Sequence, residues 1–362
     1  MESVQTRLSP ATEELLAQAS SCRYPGDAAD FARQALASAS DLLQTPGELQ
    51  HGDALRLRVA AAVLGEVSHS HGSEAMNALC EHCIQPPPAQ LRFDAARLEA
   101  TTRLGRGEGV GPQIARMRAA LEELTPGTTP WVDAALALAT ILDANCGECT
   151  VGSESFTLRE RALASASVLV DASEPGSKLL LARCLNNMGR ARLTSDDAEW
   201  CATTAMEEFE RARRLVIGEL GDSDHTILAA TLSNLGCARS TADDYEGAVD
   251  ALRQALEMRR RLFKEVDHPD LAVSLNNLGM ETRDLPLLQE ALAMLQRLHG
   301  ELHPQVAASL DNVAAHTADR FASAKLRDRA REVRARWAQR DGAIDVTSGD
   351  PNYTPPGWCA VA

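Results

Sequence analysis

The residues best suited to chemistry in this sequence are two C-x-x-C pairs and the histidines beside the first of them. They are Cys80 and Cys83, Cys146 and Cys149, and His69, His71 and His82. Two such pairs that meet in space form a typical structural zinc site. The helices outlined below place the two pairs about two repeats apart. We therefore favour ordinary helix-packing or loop roles over a joint zinc site, or over a local site of Cys80, Cys83 and one histidine.

A possible modification site is Cys359, because the last four residues have the C-a-a-X form of a farnesylation signal. The segment from Arg320 to Arg340 carries eight basic residues against two acidic ones and would supply a second membrane signal. Four-residue motifs often arise by accident, and farnesylation requires a eukaryotic source. We therefore interpret the basic segment as a solvated capping helix and keep lipidation of Cys359 as an alternative.

Motifs for catalysis are missing from the sequence. It contains neither G-x-S-x-G nor H-E-x-x-H, and the glycine-rich run from Gly105 to Gly111 lacks the Lys-Ser or Lys-Thr of a phosphate loop. That run is typical of a hinge between helices. We predict a protein that is not an enzyme and needs no cofactor.

Composition favours an all-α protein. The 362 residues are 44% hydrophobic but only 4% aromatic, and Ala and Leu supply most of the apolar mass. No apolar stretch reaches the roughly 18 to 20 residues of a membrane span, and residues 1–10 lack the apolar core of a signal peptide. The nine cysteines are therefore expected to be reduced thiols in a cytoplasmic protein. The net charge of −15 argues against binding to nucleic acid.

An internal repeat organises the second half of the chain. Four segments share one frame, Leu181–Gly189, Leu228–Gly236, Leu271–Gly279 and Val306–Ala314. Each carries one asparagine at the same place, Asn187, Asn234, Asn277 and Asn312, at intervals of 47, 43 and 35 residues. Apolar residues six before, two before and directly after that asparagine share one helix face. A second amphipathic run follows each segment, so the repeating unit is a helical hairpin.

The run DHPDLAVSLNNLG at 267–279, with ALEMRRRL at 255–262 and ALAMLQRL at 291–298, resembles the tetratricopeptide repeat. The resemblance is to the variety of about 42 residues found in kinesin light chains, and it covers roughly residues 176 to 320. The aromatic residue that often follows the glycine is missing, and Ala314 replaces the glycine in the fourth copy. The resemblance implies a right-handed α-solenoid that binds protein segments.

The first half shows the same pattern in weaker form. Helices are predicted at 10–22, 27–44, 51–68, 72–84, 87–104, 111–124, 129–143 and 155–172, separated by Pro- and Gly-rich turns. We therefore predict about eight antiparallel hairpins, with degenerate repeats at 1–172 and clear repeats at 173–340. The second group ends in the charged capping helix, and a flexible tail is expected at 341–362.

A concave groove is expected along the first helices of the hairpins. Helical geometry directs one polar set away from the apolar stripe. These candidate peptide-binding residues are Arg183, Asn186, Asn187, Arg190, Ser233, Asn234, Asn276, Asn277, Asp311 and Asn312. Asparagine both donates and accepts hydrogen bonds, so such a row could hold a peptide backbone of any sequence. The alternative is that the asparagines bond to the next helix and fix the geometry between repeats.

The sequence therefore predicts a non-catalytic adaptor or scaffold that binds a peptide or helix of a partner protein in this groove. A second hypothesis is a regulatory module that uses its convex surface and end caps. In that case Tyr353 and Trp358 of the tail could occupy the groove, and deletion of 341–362 would raise partner affinity. Contact with a membrane is predicted only if Cys359 is lipidated, and Cys359→Ser would then release the protein from membranes.

Overall fold

The computed structural model describes residues 8–22, 25–43, 46–47, 49–67, 69–106, 108–146, 152–194, 198–221, 223–264 and 266–338. These residues are almost entirely helical. Within them the one β contact is an isolated bridge between Leu49 and Cys83. They group into two compact units, which divide within the helix Thr129–Cys146, between Ile141 and Leu142. The predicted all-α class is confirmed, whereas the predicted boundary at residue 172 stays a prediction.

The first unit is built from antiparallel helices. They are α1 (Pro10–Ser21), α2 (Pro25–Ser38), α3 (His51–Val67), α4 (His69–His82), α5 (Ala89–Gly105), α6 (Gly111–Glu123) and α7 (Thr129–Cys146), with a 3-10 turn at Ser40–Leu43. Each helix packs on its neighbour in sequence from α1 through α6, and buried alanines and leucines form the core between them. The helices α3 and α4 cross closely because Gly72 lies against the backbone of Gly65.

The second unit contains the repeats identified in the sequence. Its helices are α8 (Glu154–Asp171), α9 (Ser177–Leu193), α10 (Ala198–Leu220), α11 (Thr226–Thr241), α12 (Tyr245–Phe263), α13 (Pro269–Thr282), α14 (Leu285–His299), α15 (Pro304–His316) and α16 (Arg320–Ala338). The pairs α9 with α10, α11 with α12, α13 with α14 and α15 with α16 form four consecutive hairpins. Each shared asparagine lies on the first helix of its hairpin.

The second unit has a distinct inner side. The first helices pack directly on one another, α9 on α11, α11 on α13 and α13 on α15. Within the described residues, no comparable packing joins successive second helices. The first helices are therefore closer together, and they form the inner side of this unit.

The repeated glycine explains how tightly each hairpin closes. A Cβ atom on Gly189 would lie 2.6 Å from ring carbons of the fully buried Phe209 on α10. A Cβ on Gly236 would lie 2.6 Å from the Leu252 side chain on α12. Since carbon atoms approach no closer than about 3.5 Å without repulsion, these positions admit only glycine at this helix spacing.

The helix α16 is the last helix within the described residues, and it packs on α15. One stripe of this helix, Ser323, Ala330, Val333 and Trp337, is buried, and most of its charged side chains are exposed. Arg334 of α16 pairs with Asp311 of α15, and Arg329 pairs with Glu332. None of the described helices combines the length and the apolarity of a membrane span.

Candidate functional site

The candidate site is the inner side of the second unit, where the predicted groove residues lie on α9, α11, α13 and α15. The structure separates these ten residues into two groups. Asn186, Ser233, Asn276 and Asn277 are buried, at 1 to 7% exposure. The other six are half-buried or exposed, namely Arg183, Asn187, Arg190, Asn234, Asp311 and Asn312. We call these six residues the inner face.

Asn186 joins the first two repeats. Its amide nitrogen donates a 2.8 Å hydrogen bond to Oγ1 of Thr231, from α9 to α11. The Thr231 hydroxyl in turn donates to the carbonyl oxygen of Ile227 in its own helix, over 2.7 Å. This buried chain of two bonds fixes the spacing between α9 and α11 and is unavailable to a ligand.

Similar contacts join the later repeats. The amide nitrogen of Asn277 on α13 lies 3.6 Å from Sγ of Cys237 on α11. This contact is weak, because a cysteine sulfur is only a weak acceptor. From α15, Asn312 donates to Oδ1 of Asn276 on α13 over 2.8 Å. Near the ends of α11 and α13, Ser240 donates to Glu281 over 2.7 Å. An asparagine thus contacts the neighbouring first helix at each of the three junctions among α9, α11, α13 and α15. Of the four shared asparagines, only Asn277 and Asn312 make such a contact with a described residue.

On the inner face, Asn187 of α9 and Asn234 of α11 form no hydrogen bond to a described residue of a neighbouring helix. The Asn187 amide donates to the carbonyl oxygen of Arg183, one turn earlier in its own helix, over 3.0 Å. Asn234 is half-buried, and its amide forms no hydrogen bond with any described residue. Around them the inner face carries Arg183, which is exposed, and Arg190, which is half-buried. The sequence could not distinguish these amides from the buried ones, because both lie on the same face of their helices.

The first C-x-x-C pair shows the properties of packed thiols. Burial, with a smaller effect of Cys83, raises the pKa of the Cys80 thiol to about 11. Burial also raises the pKa of the Cys83 thiol. The neighbouring His82 bonds through Nδ1 to the carbonyl oxygen of Ala78 at 2.7 Å. Thiols with raised pKa values are poor metal ligands and poor nucleophiles at neutral pH.

Within the described ranges, no group of three or more histidines, cysteines or carboxylates is arranged to hold a metal ion. Cys149 of the second pair lies outside the described residues. Cys237 is disulfide-bonded, whereas among the other described cysteines no disulfide forms at Cys22, Cys80, Cys83, Cys184 or Cys201. The expectation of reduced thiols is therefore wrong at Cys237, whose sequence position gives no sign of a bond. Cys359, Tyr353, Trp358 and the rest of 341–362 also lie outside the described residues.

Residues 228–270, from α11 into α13, match the family model for the tetratricopeptide repeat. These residues are a tetratricopeptide repeat. The matched segment contains Asn234, Gly236, all of α12 and all of α11 except its first two residues. The resemblance to the tetratricopeptide repeat is thereby confirmed for the hairpin of α11 and α12. This is the repeat that contains Asn234.

Three solved structures are similar to this chain to different extents. A Rap protein in complex with competence and sporulation factor is 12% identical, with 93% of this chain and 90% of that chain covered and a TM-score of 0.61. BtubC (BKLC) from P. vanneervenii is 21% identical over 70% of this chain and 90% of its own, with a TM-score of 0.45. A putative kinesin light chain from Podospora anserina with nearly identical repeats is 16% identical over 71% and 100%, with a TM-score of 0.38. A search of curated proteins finds no match.

One set of positions with a structural role was missed by sequence reasoning. In the sequence, Asp224-His225, Asp267-His268-Pro269 and His303-Pro304 stand just ahead of three first helices, and the acidic residue or the proline predicts a helix start there. The helices α11, α13 and α15 begin directly after these histidines, and the side chain that caps each is the histidine. The signal that could have revealed the caps is the histidine itself, which recurs immediately before these three helices.

Proposed function

We propose that this protein is a non-catalytic interaction scaffold that binds a segment of a partner protein on the inner face of its second unit. The observation that carries the proposal is the unbonded, half-buried amide of Asn234 within the tetratricopeptide repeat. A half-buried amide without a partner in the protein has donor and acceptor capacity to offer a ligand.

The contacts between repeats narrow the surface that a partner can reach. Asn186, Asn276 and Asn277 are engaged between helices, so a bound segment would lie against Asn187 and Asn234 instead. Arg183 and Arg190 lie one turn to either side of Asn187 and bring positive charge to an otherwise acidic protein. We therefore expect a partner segment whose backbone pairs with the two amides and whose acidic side chain lies near α9.

The fold supports such a role. The Rap protein with the related fold was solved in complex with competence and sporulation factor. That structure is a precedent for ligand binding by this arrangement of helices. The identity of the ligand here is decided by the side chains of the inner face, because a shared fold does not transfer a ligand.

The test is an affinity measurement with a partner captured by the wild-type protein. We expect Asn187→Ala with Asn234→Ala to weaken binding by about twofold to tenfold for each hydrogen bond lost. Circular dichroism and thermal unfolding must show that the variant is folded. The matched control is Gln254→Ala, on the exposed side of the second helix α12. Equal binding by wild type and the double variant, with both folded, would exclude the inner face as the binding surface.

A further inference from the structure

Three consecutive first helices begin in the same unusual way. The helices α11, α13 and α15 are capped by His225, His268 and His303, whose ring Nδ1 atoms accept hydrogen bonds from backbone N–H groups. The donors are Ile227, Asp270 and Gln305, and the N···N distances are 3.1, 3.1 and 3.2 Å. By contrast, α9 of the preceding repeat has Gly176 at its N-cap position and therefore no side-chain cap.

An imidazole can play this part in one protonation state only. Nδ1 must carry a lone pair to accept the N–H, so the proton of the neutral ring resides on Nε2. Protonation converts Nδ1 into a donor that faces another donor. It also places a positive charge at the positive end of the helix dipole. Both effects oppose protonation, so the cap exists while the ring is neutral.

The charged groups near each ring are arranged alike. An acidic residue one or two positions before each cap pairs with an arginine from the second helix of the same hairpin. The pairs are Asp224 with Arg261 at 2.8 Å, Asp267 with Arg297 at 2.6 Å and Glu301 with Arg329 at 3.8 Å. These carboxylates would attract a protonated imidazole. The positive charge of the paired arginines partly compensates that attraction.

Aromatic rings contact two of the three caps. His268 stacks on Phe263 of α12 with ring centres 3.8 Å apart. His303 stacks on His299 of α14 at 4.3 Å and meets the edge of Trp337 of α16 at 5.2 Å. Asp270, two residues after His268, lies in the first turn of α13, and the buried Arg259 of α12 donates to its carbonyl oxygen over 3.0 Å. A carboxylate and a guanidinium thus lie at the start of α13, and a second titratable imidazole lies against His303.

Two other histidines have the opposite arrangement. His82 and His316 lie at the ends of α4 and α15, and Nδ1 of each contacts a backbone carbonyl oxygen, of Ala78 and Asn312, at 2.7 and 2.9 Å. Nδ1 must be the donor in these contacts. A proton on the second ring nitrogen leaves them intact and adds a positive charge at the negative end of the helix. His82 and His316 therefore serve as controls within the same protein, because protonation does not break their backbone hydrogen bonds.

We propose that His225, His268 and His303 form a pH-sensitive set of helix caps, which secures α11, α13 and α15 when neutral and releases their N-termini on protonation. The caps contribute their full stability above the ordinary histidine pKa of about 6.5 and lose it as the pH falls from that value through the lower pKa of the folded state. Since all three act on first helices of adjacent repeats, acidification loosens the inner side of the unit in three places at once.

The direct test is histidine NMR on the full chain, which reports tautomer and pKa ring by ring. We expect the three caps to be protonated on Nε2 and to titrate below the ordinary histidine pKa of about 6.5. His82 and His316 are expected to carry the proton on Nδ1. Nδ1 protonation of the caps at neutral pH, or titration of the caps at or above about pH 6.5, would overturn the proposal.

The second test is urea unfolding between pH 7.5 and 5 of the full chain and two variants. Asparagine caps helices and does not titrate, so His225→Asn, His268→Asn and His303→Asn in one chain should leave a folded protein. Loss of a cap typically lowers the folding constant about fivefold, or about a hundredfold for three caps together. We expect wild type to lose stability on this scale on acidification and the triple variant to lose far less. His316→Asn should retain the wild-type pH dependence, and the same pH dependence in wild type and triple variant would refute the proposal.

Discussion

Asn312 of α15 donates a 2.8 Å hydrogen bond to Oδ1 of Asn276 on α13, and the acceptor is 1% exposed. The bond joins the first helices of neighbouring hairpins rather than the two helices of one hairpin. It therefore fixes the spacing between repeats. Buried polar bonds of this kind favour one arrangement of the helices, because a sliding neighbour would leave the amide unpaired.

Asn312→Ala should destabilise the protein by about 1 to 3 kcal/mol, because it leaves the buried Oδ1 of Asn276 without its donor. The measurement is urea unfolding at neutral pH. Asn234→Ala is the matched control, since that amide has no bond to lose, and its effect should stay within about 0.5 kcal/mol. If the two substitutions cost the same, the bond between repeats has no special part in stability.

The sequence predicts which side of each first helix is polar but not which amides are buried. Apolar spacing along a helix gives a direction around its axis, and on that basis Asn186 and Asn187 are adjacent members of one face. Their burial depends on how closely the next first helix approaches. That distance is set by side chains in another repeat, such as Thr231, 45 residues away from Asn186.

Gly189→Ala should destabilise the second unit by about 1 to 3 kcal/mol, because its Cβ would lie 2.6 Å from the Phe209 ring. Gly218→Ala is the control, since nothing lies within 4 Å of a Cβ at that position of α10. There alanine should stabilise the helix by up to about 1 kcal/mol. Thermal or urea unfolding of both variants gives the comparison. Equal and small effects at the two glycines would show that α9 and α10 are less tightly packed than described.

The helix bounds and the glycine contacts followed from local patterns. The predicted helix at 111–124 is observed at Gly111–Glu123, and the helix predicted for the basic segment from Arg320 to Arg340 is observed at Arg320–Ala338. The predicted helix at 27–44 instead ends at Ser38 and continues as a 3-10 turn at Ser40–Leu43. The identity of the capping groups escaped prediction because an imidazole caps only in one ring orientation, which neighbours such as Phe263 help to set.

Arg297→Ala should raise the pKa of Asp267 towards its ordinary value, because the hydrogen bond from Arg297 holds that pKa below its usual range. The pair contributes its full stability above the ordinary aspartate pKa of about 3.9 and loses it as the pH falls through the lowered value. Both side chains are partly exposed, so the loss at neutral pH should be under about 1 kcal/mol.

NMR titration of the Asp267 carboxyl group measures this effect directly. Arg260→Ala is the control, since Arg260 pairs with Glu290 instead, at 3.2 Å. That variant should leave the titration of Asp267 unchanged. An unaltered Asp267 titration in Arg297→Ala would show that another group lowers its pKa.

Cys80 should react slowly with alkylating reagents. Its pKa of about 11 leaves roughly one thiol in a thousand as thiolate at pH 8, against about a quarter for a small thiol of ordinary pKa near 8.5. The measurement is the rate of iodoacetamide labelling of the native protein, read by peptide mass spectrometry against a small-molecule thiol in the same tube. Cys83→Ser should accelerate labelling of Cys80 only slightly, because burial is the larger cause of the raised pKa. Labelling of Cys80 as fast as the reference thiol would contradict the packed environment and would reopen the question of a reactive or metal-binding role for this pair.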